Sequence, residues 1–241
     1  MRRLRRRGQH QIRRRASALD ALGGVAPGRV LDAPCGNGIL TRALEAAGWQ
    51  AWTCDIDPEV AGRGDGTRFA VVDLDRALPY ADGFFDAVVS VEGVEHLLAP
   101  AHCIAEFARV LRPGGRLVLT TPNVNGVQSR YHYFVSGRFA GFRTLTRRAL
   151  ESRDRHVGWH VTVPYLPTLF FAMRRAGLEV DAVTATTAAT DWLWSPLAAP
   201  MWLLARKTPP GSPARILGEW RLLVGRSVVV SAVKRAIRGS G

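Results

Sequence analysis

The chain has 241 residues, 47% of them hydrophobic and 22% charged, which suits one globular domain of ordinary size with a substantial core. No uninterrupted apolar run reaches the roughly 18 residues that a transmembrane helix requires, so such a helix is not expected. The formal net charge is +13, and Lys occurs only at 207 and 234, so nearly all of the basic residues are Arg.

The N-terminal segment, residues 1–24, is predicted to be a basic tail that ends in a short helix. Eight Arg fall in the first 15 residues, and the segment lacks the apolar core of a signal peptide, so export is not indicated. We expect the head to be mobile, because it has too little apolar character to bury itself, and we expect a helix over 11–22 to cap the fold. The charge favours contact of Arg2–Arg15 with an anionic membrane or with nucleic acid; a solvated tail is the alternative.

Strands and helices alternate through the rest of the chain, residues 25–241. We predict strands near 29–33, 50–55, 69–73, 84–91, 115–121, 178–185 and 226–233, and helices near 39–47, 58–62, 100–111 and 164–176. This alternation predicts an α/β fold with a doubly wound parallel sheet, in which ligands bind at the carboxyl ends of the strands.

The turn after the first strand carries the most informative residues. It reads Pro34-Cys-Gly-Asn-Gly38 and opens a helix, and the second strand ends in Asp55. Glycine at such a turn lets a ligand approach the backbone, the helix start attracts an anionic group, and a strand-end acid can accept hydrogen bonds from a ribose diol. Thr41 stands where a dinucleotide-binding fingerprint has its third glycine, so nicotinamide or flavin binding is disfavoured.

This ordered set resembles motif I of the class I S-adenosylmethionine-dependent methyltransferases, an apolar strand followed by D-x-G-x-G-x-G. The chain departs from the motif at Pro34, which replaces the first glycine. Two later stretches, 78–90 and 106–123, are similar to the family's L-P-F and F-D-x-V region and to its R-V-L-K-P-G-G turn. The resemblance is to type 11 and type 23 members, including the quinone-pathway O-methyltransferases, and it covers residues 25 to 125 well. It implies a seven-stranded Rossmann-like sheet with helices on both faces, in which strand seven runs antiparallel between strands five and six.

The resemblance also implies the cofactor, S-adenosylmethionine, which leaves as S-adenosylhomocysteine. Asp32 and the backbone of Gly36 and Gly38 would hold its methionine end, and Asp55 would take the ribose hydroxyls. Asp57 is a competing ribose candidate, although its position directly before a proline suggests a helix-start role.

The adenine side of the implied site involves the next two strand ends. Ile56 would pack on adenine, and Asp73 with Leu74 would hold its edge. Ala33 and Val91 complete the implied cofactor contacts.

Two histidines are the candidate catalytic residues. A hydroxyl acceptor needs a base, and His96 directly follows strand four, near the implied sulfonium. His96 belongs to an E-x-x-E-H string, with Glu92 and Glu95, that resembles a quinone-pathway segment in which the acids and the His can hold a divalent metal; a purely architectural loop is the alternative. His160 is predicted either to face the pocket or to be structural. No residue is predicted as a metal ligand, and metal binding by Glu92, Glu95 and His96 is left open.

Two stretches do not belong to the bare scaffold. Residues 123–160 are rich in Arg, aromatic residues and His, and they form either a lid above the pocket or a surface excursion. Residues 187–223 are rich in Trp, and they pack against a lipid, a partner, the lid or the domain itself.

Three functions remain open. The leading one is methyl transfer to a small-molecule, glycan or lipid-linked acceptor, at oxygen. The second is a nucleic-acid (RNA) methyltransferase that uses the Arg-rich head; it is disfavoured because 90–93 lacks an N-P-P-Y-type motif. The third is a non-catalytic cofactor-binding protein.

Cysteines at 35, 54 and 103 show no metal-ligand spacing, which indicates a reducing, cytoplasmic location. Peripheral contact with the membrane is a further possibility that the basic head leaves open. The oligomeric state is not predicted.

Overall fold

The computed structural model describes residues 2–60, 68–142 and 159–235. Within them, one sheet contains the strands β1 (Arg29–Asp32), β2 (Gln50–Asp55), β3 (Phe69–Val71), β4 (Phe85–Val91), β5 (Leu111–Pro122), β6 (Leu178–Thr186) and β7 (Ser227–Lys234). The strand order is β3-β2-β1-β4-β5-β7-β6. The first five strands are parallel, and β7 runs antiparallel to both β5 and β6. The predicted doubly wound sheet with an antiparallel seventh strand is therefore confirmed.

Strand positions follow from burial. The central strands β4, β5 and β7 contain the buried apolar runs Ala87–Val89, Leu117–Leu119 and Val228–Val230, because helices cover both faces of the sheet there. Two strand boundaries differ from the prediction by more than one residue. β5 begins at Leu111, four residues before the predicted start, because Leu111 pairs with Phe85 ahead of a register shift in β4. β3 ends at Val71, two residues before the predicted end, because Asp73 closes a turn with the N–H of Asp75.

The helices lie on both faces of the sheet, as predicted. They are α1 (Arg2–Ala21), α2 (Ile39–Ala46), α3 (Pro100–Val110), α4 (Val127–Ser136), α5 (Leu166–Arg175), α6 (Ser195–Ala205), α7 (Pro213–Leu217) and α8 (Trp220–Val224). One core lies under α3 and α5, around Phe85 and Phe107. The other lies under α1 and α2, around Val30 and Leu44. In place of the predicted helix over 58–62, a 3₁₀ turn spans Pro58–Val60, and the next residues lie outside the described ranges.

Helix α1 corrects the predicted N-terminal segment. The head is helical from Arg2, nine residues before the predicted helix start, so the predicted start was wrong, whereas the mobility of the head stays a prediction. The cause lies at the other end of the helix. Ala18 and Leu22, one helical turn apart, are buried against the sheet and fix the helix. Arg has a high helix propensity, so a helix anchored there propagates toward the N-terminus.

The two predicted insertions supply the remaining helices. α4 opens the first of them, and residues 143–158 of that insertion lie outside the described ranges. α6, α7 and α8 occupy the second, and a small apolar layer of Val127, Ala198, Leu223 and Val224 joins it to α4. Among the described helices, none combines the length and the apolar character needed to cross a membrane.

Candidate functional site

The turn between β1 and α2 places two glycines at the carboxyl edge of the sheet. Gly36 has a φ of 52°, and Gly38, directly before α2, has a φ of 67°, a left-handed backbone that glycine adopts without steric cost. A Cβ added to Gly36 would meet nothing within 4 Å, so open space lies against the main chain at this point. The N-terminus of α2, where the first N–H groups have no partner within the helix, lies at the same turn. The geometry suits a ligand with an anionic group that lies directly on the backbone.

Asp55, the last residue of β2, holds this turn in place. Its Oδ2 accepts a hydrogen bond from the Gly36 N–H at 2.9 Å, and its Oδ1 accepts one from the Asp57 N–H at 3.1 Å. Only 5% of the residue is exposed. An ionised carboxylate has about four acceptor positions, so two further hydrogen bonds from a diol remain within its capacity. Asp57 accepts a hydrogen bond from the Glu59 N–H at 3.0 Å, which is the helix-start arrangement expected of it.

Asp32, at the end of β1, is almost fully buried. Thr41 Oγ1 donates a hydrogen bond to its Oδ2 at 2.7 Å. Burial raises the pKa of Asp32 to about 7, against the opposing effects of the Thr41 hydrogen bond and the Arg15 charge. The next residue, Ala33, is also buried, and its N–H donates to the Val89 carbonyl at 3.0 Å. Asp32 therefore offers a carboxylate that a cationic ligand would ionise, whereas Ala33 offers a ligand only its carbonyl.

The strand ends beyond Asp55 present both apolar and polar groups. Ile56 is 43% exposed and Val71, paired in register with Asp55, is 59% exposed. Asp73 pairs with Arg76 at 3.4 Å. Exposed apolar side chains beside a polar strand end suit the flat face of a base. Val71 was not among the candidate residues predicted from the sequence. Its position as the last residue of a short strand could have indicated that it lies near the ligand edge of the sheet.

The other two cofactor candidates are less accessible than these. Leu74 is buried in the main core, so only its backbone groups can reach a ligand. Val91 ends β4, and its partly buried side chain packs on the core under α1 and α2.

The loop after β4 begins with a strained residue. Among the described residues, Glu92 is the one non-glycine residue with a positive φ, 54°. Its N–H donates to the Thr120 carbonyl at 3.0 Å, and its carboxylate pairs with Arg14 at 3.0 Å. Such a backbone persists only where surrounding contacts enforce it, and it occurs preferentially at functional sites.

Glu95 is an unusual carboxylate because it is fully buried. Its Oε2 accepts a hydrogen bond from Thr121 Oγ1 at 3.2 Å, while Oε1 finds no hydrogen-bond partner in the described part of the chain. Burial, and then the charge of Glu92, raise the pKa of Glu95 well above its ordinary value. This carboxyl group therefore favours a proton, a cation or a donor from a ligand.

The two predicted histidines come together. The His96 and His160 rings meet edge to face, with centroids 4.9 Å apart. His96 Nδ1 lies 2.7 Å from the Trp159 carbonyl, so Nδ1 carries the proton and Nε2 is the basic nitrogen. Burial lowers the pKa of both rings, that of His160 to about 4, and both are therefore neutral near pH 7. Within the described ranges, the buried Nδ1 of His160 has no hydrogen-bond partner.

These residues form a set that could hold a divalent cation. One ligand atom from each of Glu95, His96 and His160 lies within 4.8 Å of the others. Imidazole nitrogens with one carboxylate oxygen suit transition metals. Glu92, which the resemblance placed among the metal ligands, pairs with Arg14 instead. Glu95 Oε1 and His160 Nδ1, which have no hydrogen-bond partner in the described part of the chain, also suit the hydroxyl group of an organic acceptor.

Helix α1 contributes to this edge of the sheet in a way that the sequence did not reveal. Three consecutive residues, Arg13, Arg14 and Arg15, donate hydrogen bonds to three separate segments, namely the loop after β6, the start of β7 and the turn after β1. Their acceptors are, in order, Thr187 O at 2.5 Å, Ser227 Oγ at 2.7 Å and Asn37 Oδ1 at 3.1 Å. These three side chains are engaged with the domain itself. The available signal was the pair Ala18 and Leu22, whose spacing of four residues indicates a helix that docks.

Comparison with known proteins gives consistent results. A family model described as a methyltransferase domain matches residues 3–183. The demethylmenaquinone methyltransferase of Beutenbergia cavernae is 35% identical over 135 residues, which cover 53% of this chain and 55% of that protein. A ubiquinone biosynthesis O-methyltransferase of Xanthomonas oryzae pv. oryzae is 35% identical over 107 residues, which cover 41% of this chain and 45% of that protein. The chain thus matches about half the length of these relatives.

Solved structures agree in fold. A SAM-dependent methyltransferase from Archaeoglobus fulgidus superposes with a TM-score of 0.59 at 16% identity, over 93% of this chain and 94% of the other. A geranyl diphosphate methyltransferase in complex with GPP and sinefungin gives 0.56 at 19% identity, over 91% of this chain and 77% of the other. At these identities the likeness shows the fold alone.

Proposed function

Because the chain belongs to the methyltransferase-domain family, we propose that it transfers a methyl group from S-adenosylmethionine to an oxygen atom of a small, lipid-soluble acceptor. The family match confirms the resemblance predicted from the sequence. The open space against Gly36, whose N–H is bonded to the Asp55 carboxylate, is the observation that carries the proposal. It fits a ligand that combines a charged amino-acid end with a ribose.

The cofactor roles proposed for single residues follow the placement of their groups. The backbone at Gly36 and Gly38 would receive the methionine carboxylate, and Asp32 would face the ammonium group as its ionised form. Asp55 would accept from the ribose hydroxyls, and Ile56 with Val71 would flank adenine. Asp73, Leu74, Ala33 and Val91 would contribute the remaining contacts, through the backbone where their side chains are buried.

S-Adenosylmethionine, when bound, supplies an electrophilic methyl group on a sulfonium. The protein must then orient the acceptor and remove its proton, and we assign the second task to His96. Its Nδ1–H is held by the Trp159 carbonyl, so Nε2 is fixed as the basic nitrogen, and the same carbonyl stabilises the imidazolium that forms. His160 stays neutral beside it, which avoids a second positive charge, and its Nδ1 is available to the acceptor.

The acceptor class is proposed from the relatives, whose names place them in menaquinone and ubiquinone biosynthesis. An aromatic diol or its monomethyl ether, attached to an apolar chain, matches that chemistry.

The nucleic-acid alternative is not favoured, because Arg13, Arg14 and Arg15 bond to the domain itself. The non-catalytic alternative is not favoured by the family match. We also propose that α1 is part of the catalytic domain, since Ala18 and Leu22 pack on the sheet. The cytoplasmic location remains a prediction.

The test is a methyl-transfer assay with labelled S-adenosylmethionine and the full chain. The acceptors are short-chain phenol and catechol precursors of quinones, a glycan mixture and unmodified RNA. We expect label in the phenolic acceptors, attached to oxygen by mass spectrometry. Label confined to RNA or glycan would overturn the acceptor class, and binding of the donor without transfer to any acceptor would support the non-catalytic alternative.

A further inference from the structure

The helices α4 and α6, with the 3₁₀ turn Ala189–Trp194 that precedes α6, expose an unusual amount of apolar surface. The exposed side chains are Tyr131, Tyr133, Phe134 and Val135 from α4, and Trp192, Leu193, Leu197, Leu203 and Leu204 from the other two elements. Phe134 is 88% exposed and Leu193 is 79% exposed. Isolated exposed apolar residues are normal, but a concentration of this kind marks an interaction surface. We call these nine residues the α4–α6 face.

The two halves of this face adjoin each other. The Tyr131 and Trp194 rings lie 5.4 Å apart between centroids, and Arg130 Nη1 lies 4.0 Å from Met201 Sδ. Beneath them, both helices rest on the same buried residues, Leu223 and Val224 of α8. The outer sides of α4 and α6 therefore form one surface.

In the part of the chain that the structure describes, the exposed charged side chains that flank the face in sequence are basic. Exposed basic residues flank it, namely Arg130 and Arg138 beside α4, and Arg206 and Lys207 at the end of α6. Residues 124–142 contain no acidic residue, and residues 187–218 contain only Asp191, which is buried and paired with Arg226. An apolar face rich in Trp, Tyr and Leu with a basic rim complements an anionic lipid bilayer.

A row of aromatic rings leads from this face to the candidate site. Tyr133 stacks on Phe139 with centroids 4.6 Å apart, Phe139 lies 6.4 Å from Phe142, and Phe142 lies 5.0 Å from His160. His160 in turn contacts His96. The row connects half-exposed surface to the proposed base.

We propose that the α4–α6 face docks the protein on an anionic bilayer, and that the aromatic row guides a lipid-dissolved acceptor from that bilayer to His96. The docking part stands on the exposed residues and their charges alone, whereas the guiding part rests on the proposed function. The docking surface proposed here does not use Arg13, Arg14 and Arg15 of helix α1, because these three side chains are bonded within the domain.

The docking test is co-sedimentation of the full chain with phosphatidylcholine vesicles, prepared with or without phosphatidylglycerol. The test variant carries Phe134→Ser and Leu193→Ser. The matched control carries Phe171→Ser and Leu98→Ser, two residues outside the face that are 63% and 82% exposed. We expect binding to the anionic vesicles, a loss of about tenfold or more in the test variant and little change in the control. Added salt should weaken the binding, and Arg206→Gln with Lys207→Gln should act in the same direction.

Three outcomes would overturn docking: no binding to anionic vesicles, equal losses in the test and control variants, or self-association that the test variant abolishes. The last outcome, measured by sedimentation velocity, would assign the face to a second copy of the chain.

Activity separates the two parts of the proposal. With acceptor dissolved in vesicles, the test variant should lose turnover, while turnover of a water-soluble analogue should be unchanged. Loss with both acceptors would contradict the guiding role. Vesicle binding without turnover of any acceptor would reject the proposed function and leave docking supported.

Discussion

Replacing Asp55 by Asn tests the centre of the candidate site, because this carboxylate has a structural and a proposed ligand-binding role. The two oxygens now accept hydrogen bonds from the Gly36 and Asp57 N–H groups at 2.9 and 3.1 Å. An amide keeps one acceptor oxygen and turns the other into a donor. One of the two N–H groups then faces a donor and loses its partner.

The magnitude follows from the burial of the site. Leaving one buried donor unpaired costs about 1–3 kcal/mol, and Asp55 is 5% exposed, so we expect a loss of about 2 kcal/mol in the free energy of unfolding. For a domain of this size, that loss lowers the Tm by about 4–8 °C. Asp55→Ala removes both acceptors and should cost roughly twice as much. Loss of a charge-assisted bond to a ribose hydroxyl weakens cofactor binding by about tenfold or more.

The assay combines thermal unfolding with calorimetric titration of S-adenosylhomocysteine. Glu45→Gln, an exposed carboxylate change on α2, is the control and should alter neither quantity. An unchanged Tm in Asp55→Asn would refute the role of Asp55 in holding the turn. A lowered Tm with unchanged affinity would refute the ribose contact and leave the structural role intact.

Three further predictions concern the buried charges and the base. Burial raises the pKa of Asp32 from 3.8 to about 7, so the folded state retains its proton and loses stability as pH rises between these values; Asp32→Asn should remove this pH dependence of Tm. His96→Gln should lower kcat by about 10²- to 10⁴-fold without weakening S-adenosylhomocysteine binding, and equal losses with the exposed control His132→Gln would contradict a role as base. Arg14→Gln should reduce the denaturant midpoint, because it breaks contacts to Glu92 and Ser227; a midpoint equal to that of wild type would show that these contacts contribute nothing.

The sheet was predictable because its signals are local. Each central strand contains a short apolar run, and the turn from Pro34 to Gly38 marks the first strand-to-helix junction. Gly36 and Asp55, 19 residues apart, share a hydrogen bond, since parallel neighbouring strands end at the same edge. Topology therefore gave the location of the site from sequence patterns alone.

The remaining contacts of the site join residues that are distant in the chain. His96 bonds to the Trp159 carbonyl 63 residues away, and Arg14 reaches Ser227 across 213 residues. Such pairs leave no periodic pattern. Their presence explains why the head was predicted as a tail, although Arg14 contacts Glu92 in the loop after β4 and Ser227 at the start of β7.

The helices of the second insertion were missed for a different reason. α6 contains Pro200 within it and has Pro196 in its first turn, and α7 begins at Pro213. Proline in a run normally argues against a helix. Here apolar packing of Ala198 against Leu223 stabilises the helix despite Pro200, and only the tertiary structure shows that packing.

The most direct measurement is a calorimetric titration of the full chain with S-adenosylhomocysteine, run in parallel on Gly36→Ala. The wild-type chain should bind at one site, and the added methyl group should weaken binding because it enters the open space against the main chain. Absence of binding heat in the wild-type chain, or equal affinity in the two proteins, would contradict a cofactor seated on this turn.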